Sequence, residues 1–259
     1  MSKSDNDIVW LASFDIGKKN FSFYIEEVDL SKLKECKNIP KKERYEPCGT
    51  PTSEFQPILD QVCSTGKKIL LENVDLTVGC DGTKYLDPKV LYNMIEILDE
   101  YEEYWQQCDV FVIEKQMSFG KRHNTMALKI GQHCWSYFSI NHKEKKIIEF
   151  PAYHKTQVLG AAKVEKVTKT GKKRYKAINK PARKKWCINQ ALLILEARGD
   201  DDTMSQIKTS RKKDDLCDVI CQLQGFKYLT YVDNSIWWKI NPDASKRRNR
   251  VSNRKTYSG

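Results

Sequence analysis

The sequence predicts an α/β domain whose mixed central sheet is flanked by helices. Two alternating apolar segments, residues 8–14 (IVWLASF) and 21–28 (FSFYIEEV), lie on either side of a turn-rich hexamer. This pattern is typical of a β-hairpin, so the sheet begins with antiparallel strands. Later apolar segments alternate with segments of helical spacing, which is typical of parallel strands joined by helices. The length of 259 residues fits one domain with an appended tail.

The remaining elements follow from periodicity and from breaker residues. Strands are predicted at 67–76, 108–114 and 145–151, and helices at 89–107, 126–140, 181–198 and from 214 through 223. Three segments are expected to be irregular, namely a proline-containing insertion at 31–66, a basic loop at 161–185 and the break at 199–202. We therefore expect a domain over residues 1–230 and a basic tail over 231–259.

Positive charge is concentrated in two short segments. The net charge is +11, yet residues 161–185 alone hold eleven Lys or Arg against one Glu, and residues 244–259 hold six and no acid. Such segregation favours a partner rich in phosphate, as in nucleic acids. The alternative is that both segments are solvated, flexible charge runs with no specific role. The tail could extend the contact with DNA or could act as a nuclear localisation signal, and the sequence favours neither.

Cysteine usage and hydropathy indicate the cellular environment. The nine cysteines form no C-x-x-C pair, and the polar beginning MSKSDND is unlike a signal peptide. We expect reduced thiols in an intracellular, reducing compartment. The longest apolar runs are far shorter than the ~20 residues of a membrane helix, so no membrane partner is expected.

Carboxylates stand at positions where the predicted fold would expose them together. Asp15 ends the first strand, and Glu114 ends an apolar strand expected in the middle of the sheet. Asp215 and Asp218 are spaced i, i+3 and share one face of the last helix near its N-terminus, whereas Asp214 points elsewhere. Taken singly, each acid has an ordinary explanation as a turn residue or as a favourable charge at a helix start.

The combination of these acids favours a metal site. Converging carboxylates repel one another unless divalent cations lie between them, and Mg²⁺ prefers oxygen ligands. Two ions about 3.5–4 Å apart can hold the attacking water and the leaving oxygen of a phosphodiester. We therefore predict Mg²⁺, or Mn²⁺ in its place, with two ions per site and no nucleotide cofactor.

Four segments, taken in order, make the chain resemble a known family. SFDIGKKN, FVIEKQMSFGKRHNTMALKIGQ, FPAYHKTQVLG and KKDDLCDVI are similar to the motifs of RuvC-like Holliday junction resolvases, most closely those of poxviruses and other large DNA viruses. The similarity runs from residue 8 to about residue 226. It leaves out the insertion at 31–66 and the C-terminal tail.

The resemblance implies a fold, an activity and a site. It implies an RNase H-like fold and a Mg²⁺ site made by Asp15, Glu114, Asp215 and Asp218. The implied enzyme is a homodimeric endonuclease that nicks two opposed strands of a four-way junction by metal-activated hydrolysis. If the chain is viral, as those relatives are, it would process branched DNA during replication or recombination, in a cytoplasmic viral factory or in the nucleus.

Residues around the acids are candidates for DNA contact. Lys155 matches a lysine of the family and could bind a phosphate, the alternative being a solvated lysine at a helix start. Phe119 could stack on an unpaired base at the branch point or could pack in the core. The candidates that could contact the phosphate backbone are Lys115, Lys121, Arg122, Lys172, Lys173, Arg174 and Lys176.

Two other functions remain compatible with the sequence. One is a different RNase H-like nuclease, flap-cutting or transposase-like, with the same metal site and another substrate. The other is a non-catalytic module that binds branched DNA. The presence of all four acids argues against the non-catalytic alternative.

Overall fold

The computed structural model describes residues 7–80, 85–116, 124–168 and 170–240, except for the side chain of Trp238. A five-stranded sheet lies at its centre, in the spatial order β3-β2-β1-β4-β5. Its strands are β1 (Ile8–Asp15), β2 (Phe21–Asp29), β3 (Lys67–Val74), β4 (Val110–Lys115) and β5 (Lys146–Pro151). A separate two-stranded sheet is formed by β6 (Val164–Val167) and β7 (Lys173–Lys176).

The directions of the strands confirm the mixed sheet that the sequence predicted. Strands β1, β2 and β3 pair in antiparallel fashion, whereas β4 pairs parallel to both β1 and β5. The chain thus makes a three-stranded meander and then adds two parallel strands beside β1. This arrangement, with helices on both faces, is that of the RNase H-like fold, as the resemblance implied.

Nine α-helices are found in the described part of the chain. They are α1 (Leu30–Lys34), α2 (Gln56–Ser64), α3 (Pro88–Glu100), α4 (Glu102–Gln107), α5 (Thr125–Asn141), α6 (Tyr153–Val158), α7 (Lys180–Arg198), α8 (Asp201–Thr209) and α9 (Lys213–Lys227). Because side chains alternate along a strand, the sheet has two apolar faces. Helices α3, α4 and α5 pack on the face that carries Phe14 and Phe111, and α2, α7 and α9 pack on the face that carries Leu11 and Val112.

Helix 89–107 was predicted as one element and is two, with a break at Tyr101. The backbone of Tyr101 leaves helical geometry at φ −100° and ψ 16°. The indole nitrogen of Trp105 donates to the carbonyl of Leu98 at 2.7 Å, which satisfies an acceptor freed by the break. Trp105 is completely buried among aromatic rings. Packing of this large side chain therefore stabilises the break, a tertiary effect that periodicity cannot show.

The expectation of an irregular insertion at 31–66 is wrong for its second half and for residues 31–34, which belong to helix α1. Residues 56–64 form helix α2, and its Pro57 occupies the first turn, where a missing N–H costs nothing. Phe55, Leu59 and Val62 are buried in the main core. The prolines of this segment were interpreted as helix breakers, whereas one of them begins a helix.

The break predicted at 199–202 contains a helix start. Gly199 ends α7 in the left-handed conformation, with φ 67°. Asp200 then caps α8, because its carboxylate accepts from the backbone N–H of Thr203 at 3.1 Å. Asp201 and Asp202 lie in the first turn of α8, where negative charge is favourable.

Two further boundaries differ from the prediction. The basic loop at 161–185 contains the antiparallel hairpin β6–β7, closed by a turn in which Gly171 has φ 75°. The charge of this segment obscured its strand-forming residues Val164, Val167 and Tyr175. At the other end, Val232 and Ile240 are buried in the main core, so the body extends beyond residue 230.

Candidate functional site

Strand register brings Asp15 and Glu114 together. Strands β1 and β4 are parallel neighbours, and Phe14 is paired with Ile113. The next residue on each strand is therefore a carboxylate, and both carboxylates point to the face covered by α7 and α9. The chain turns sharply after Asp15, and a Cβ on Gly17 would lie 2.7 Å from the carbonyl oxygen of Asn20. Glycine is thus required at that turn.

Helix α9 supplies the third acid. Carboxylate oxygens of Asp15, Glu114 and Asp218 all lie within 4.8 Å of one another. The acids come from three distant positions in the sequence and meet at the end of the sheet. Asp215 lies one turn earlier on α9 and is not part of this group, although its charge acts on Asp15. The structure therefore brings three of the four predicted acids into direct proximity and leaves the fourth beside them.

A buried glutamine fixes α9 against the sheet below these acids. Gln222 follows Asp218 by one helical turn, and its side-chain amide nitrogen lies 3.0 Å from Ser13 Oγ, 3.1 Å from the carbonyl of Phe14 and 3.2 Å from that of Val112. It thus bonds both strands that end in acids. Sequence reasoning missed this residue. The available signal was a pair of amides, Gln222 and Gln224, among the apolar residues of the last helix.

Lys155 lies inside the acid cluster. Its ammonium nitrogen is 2.9 Å from Glu114 Oε2 and 2.8 Å from Asp218 Oδ2. The lysine belongs to α6 and is only 4% exposed, so the alternative of a solvated lysine is wrong. Burial would lower the pKa of Lys155, but Glu114, Asp218 and Asp15 outweigh burial and raise it well above the usual value. Lys155 is therefore a permanent cation that partly neutralises the acids.

Negative charge at the site still exceeds positive charge. Burial raises the pKa of Asp15 well above its usual value, and repulsion by Glu114 and Asp218 raises it further against the effect of Lys155. Burial and the neighbouring Asp214 raise the pKa of Asp215 to about 6. Both shifts arise first from burial and then from repulsion by neighbouring acids. A bound divalent cation would supply counter-charge.

Asp214 has a different environment from the other acids. Its carboxylate is paired with Lys184 of α7. Burial would raise the pKa of Asp214, but the hydrogen bond and the charge of Lys184 lower it below its usual value. From the sequence, helical spacing alone indicated that Asp214 and Asp215 point in different directions. The structure shows that the two neighbours differ in partner and in the direction of their pKa shifts.

The residues present fit Mg²⁺ or Mn²⁺ in their chemistry. The ligand atoms are carboxylate oxygens, which hard divalent cations prefer. Three of them lie close enough to share an ion, and their excess negative charge is only partly neutralised by Lys155. Elsewhere among the described residues, no other group of three His, Cys, Asp or Glu side chains has this geometry.

The predicted DNA contacts fall into three groups. Lys115 is about half exposed at the end of β4, and its ammonium lies 3.8 Å from Glu149. Lys172, Lys173, Arg174 and Lys176 are exposed in and beside the β6–β7 hairpin. Phe119, Lys121 and Arg122 lie outside the described residues.

Sequence comparison relates the chain to proteins of invertebrate iridescent viruses. The uncharacterized protein 170L of Invertebrate iridescent virus 6 is 39% identical over 247 residues, which cover 87% of this chain and 91% of that protein. The chain belongs to the family of protein 170L. A second relative, the uncharacterized protein 97L of Invertebrate iridescent virus 3, is 29% identical over 226 residues, covering 84% of this chain and 98% of the relative. No protein-family model matches the chain.

The similar solved structures have lower sequence identity to this member of the 170L family than the viral relatives do. The fowlpox virus resolvase, in its complex with Holliday junction DNA, has a TM-score of 0.47 and 17% identity over 85% of this chain and 97% of the resolvase. RuvC of Thermus thermophilus has a TM-score of 0.44 and 12% identity over 85% of this chain and 95% of RuvC. The chemistry of the site follows from the residues of the chain itself.

Helix length and polarity were also compared with the requirements of a membrane span. No helix within the described ranges is both long and apolar enough to cross a bilayer.

Proposed function

We propose that this chain is a Mg²⁺-dependent Holliday junction resolvase, a structure-selective endonuclease that makes paired nicks in four-way DNA junctions. The observation that carries the proposal is the convergence of Asp15, Glu114 and Asp218 from separate chain segments, with Lys155 between two of them. The four-way junction as substrate comes from the sequence motifs. Opposed nicks in two strands need two sites, so the proposal includes a homodimer.

Each residue has a defined task in this proposal. Asp15, Glu114 and Asp218 would hold Mg²⁺, and Asp215 would complete a site for two ions. Bound ions of this kind polarise a phosphodiester and lower the pKa of a water molecule that attacks it. Lys155 bridges Glu114 and Asp218 and orients them, and its ammonium is placed to meet a phosphate oxygen at the same spot.

Hydrolysis also needs a rigid frame around the acids. Gln222 fixes the distance of α9 from β1 and β4, and Lys184 binds Asp214 at the start of the same helix. Held in this way, the carboxylates need little reorganisation during the reaction, which is the condition for efficient electrostatic catalysis.

The test is cleavage of a synthetic four-way junction by the purified chain with Mg²⁺. We expect paired incisions in opposed strands, loss of cleavage in a chelator, and recovery when Mg²⁺ or Mn²⁺ is restored. Asp15→Asn, Glu114→Gln and Asp218→Asn should each lower the rate at least about a hundredfold, because loss of metal-held charge removes several kcal/mol of stabilisation. Asp202→Asn, an exposed acid on α8, is the matched control and should retain wild-type cleavage.

The substrates in the same assay separate the alternatives. Cutting of flaps or duplexes without paired nicks in junctions would contradict the resolvase function and favour another RNase H-like nuclease. Binding of junctions without metal-dependent cutting would identify a non-catalytic module. Cutting that persists in Glu114→Gln would show that another protein in the preparation is responsible.

A further inference from the structure

The β6–β7 hairpin separates its charges by face. Register pairs Val164 with Lys176, and Lys166 with Arg174. Residues opposite each other in an antiparallel pair lie on the same side, and side chains two positions apart do so as well. One face therefore carries Val164, Lys166, Arg174 and Lys176, which we call the cationic face. The other face carries Glu165, Val167, Lys173 and Tyr175.

On the other face, the positive charge of Lys173 is compensated by Glu165. The ammonium of Lys173 lies 3.0 Å from Glu165 Oε1, and the hydroxyl of Tyr175 lies 3.3 Å from Glu165 Oε2. By contrast, the three cations of the cationic face form no ion pair or side-chain hydrogen bond with any residue that the structure describes. All eight strand residues are exposed. Charges that only kept a short strand soluble would not need to be sorted in this way.

The hairpin is attached at both ends to elements that line the acid site. It follows α6, which carries Lys155, and precedes α7, which carries Lys184. Its base is also held by the backbone, since the N–H of Lys163 donates to the carbonyl of Cys48 at 2.7 Å. The chain thus connects the hairpin directly to the two helices whose lysines pair with acids of α9.

We propose that the cationic face binds the phosphates of a duplex arm of branched DNA. The proposal rests on the proposed function and deepens it, because it names three contact residues, Lys166, Arg174 and Lys176, and excludes Lys173. Charge complementarity identifies the partner, since three uncompensated cations lie on one side of an exposed ribbon. Phosphates carry no base information, so we expect these contacts to be independent of sequence.

The test compares adjacent residues that point to opposite faces. Dissociation constants of Arg174→Gln and Lys173→Gln for a four-way junction are measured without divalent cations over a series of NaCl concentrations. Arg174→Gln should weaken binding several-fold at low salt and reduce the slope of log K against log salt by about 0.9, the value for one lost phosphate contact. Lys173→Gln should stay within about twofold of the wild-type chain, with an unchanged slope.

A triple variant extends the comparison to the whole face. Lys166→Gln, Arg174→Gln and Lys176→Gln combined should reduce the slope by about 2.7 and weaken binding at least about tenfold. Circular dichroism and the melting temperature should match the wild type, because no buried group is changed. Equal affinities for the triple variant and the wild type, or equal losses for Arg174→Gln and Lys173→Gln, would overturn the assignment.

Failure of this proposal can be distinguished from failure of the proposed function. Binding tests the hairpin, and Mg²⁺-dependent cleavage at saturating protein tests the nuclease. A chain that binds through the cationic face but never cuts supports the hairpin assignment and contradicts the nuclease. If the wild-type chain cuts junctions but the triple variant binds them as tightly as the wild type, the nuclease is supported and the hairpin assignment is contradicted.

Discussion

Gln222 illustrates how one side chain can set the geometry of a site that it does not enter. It is 1% exposed, and its amide nitrogen contacts groups on both β1 and β4. Its side-chain oxygen has no hydrogen-bond partner among the described residues. An unpaired buried acceptor costs free energy, so the three contacts of the nitrogen must offset this cost. The residue is better explained by the placement of Asp218 than by stability alone.

Replacing Gln222 by leucine tests this explanation. We expect Gln222→Leu to lower the free energy of unfolding by about 2 kcal/mol, because three contacts are lost while one unpaired oxygen is removed. Gln206→Leu is the matched control, since Gln206 donates one bond at 2.7 Å to the carbonyl of Leu71 and should cost only about 1 kcal/mol. Urea unfolding measures both.

A second measurement separates the positioning of Asp218 from stability. It is the rate of junction cleavage at a temperature where both variants remain folded. Under the proposed function, Gln222→Leu should reduce the junction-cleaving rate of fully folded protein, whereas Gln206→Leu should leave it unchanged. Equal rates for the two variants would contradict the positioning role.

At the scale of elements, α9 is the helix that connects the site to the core. From Leu216 to Lys227 almost every residue is buried, so the helix is covered on all sides. Its buried polar residues Gln222, Gln224 and Lys227 are hydrogen-bonded there. Its first turns carry Asp214, Asp215 and Asp218, and its later turns pack against α6 and α7. Movement of α9 would therefore move the acids.

Gly225 of α9 packs against the backbone of α6. A Cβ there would lie 3.5 Å from Lys155 Cα and 3.6 Å from the carbonyl oxygen of His154, which are ordinary contacts. We expect Gly225→Ala to fold with unchanged or slightly higher stability, since alanine favours a helix by up to about 1 kcal/mol over glycine. Gly225→Leu would push α6 away and move Lys155 from Glu114 and Asp218.

Melting temperature and junction cleavage would be measured for both variants. We expect Gly225→Leu to lose cleavage by a larger factor than Gly225→Ala. A leucine variant that cuts as fast as the alanine variant would show that the α6–α9 distance does not control the site.

The sequence predicted elements well where local pattern decides and poorly where packing decides. The β1–β2 hairpin, strands β3, β4 and β5, and helices α5, α7 and α9 follow from periodicity. Asp15 and Glu114 could be placed at strand ends for the same reason. The burial of Lys155 and the contacts of Gln222 could not be predicted, because their partners are 41 or more residues away in sequence.

At the scale of the whole molecule, a buried ionic network joins the sheet to the helices. Glu26 of β2 is completely buried and accepts from Arg198 of α7 at 3.2 Å and from Gln224 of α9 at 2.9 Å. Lys227 of α9 contacts Glu26 and the carbonyl of Thr65. Gly66 makes room for this network, because a Cβ at its φ of 135° would lie 1.8 Å from Glu26 Oε1.

This network makes the stability of the fold dependent on acid pH. Burial alone would raise the pKa of Glu26, but Arg198 and Lys227 outweigh burial and lower it to about 2 from the usual 4.5. The folded chain therefore keeps Glu26 ionised where the unfolded chain already binds a proton. The stabilisation is fully present above pH 4.5 and is lost as the pH falls from 4.5 towards 2, at about 1.4 kcal/mol per pH unit.

Glu26→Gln should reveal this contribution. At pH 7 we expect the variant to lose about 3–5 kcal/mol of unfolding free energy, because Arg198 and Lys227 remain buried without their counter-charge. The difference from the wild type should shrink by about 2 kcal/mol between pH 4.5 and pH 3, since the unfolded wild-type chain takes up a proton on Glu26 there while the folded chain keeps it ionised. Urea unfolding at several pH values measures both quantities. A difference that stays constant down to pH 3 would show that Glu26 is already protonated in the folded protein, and the two cations would then need another partner.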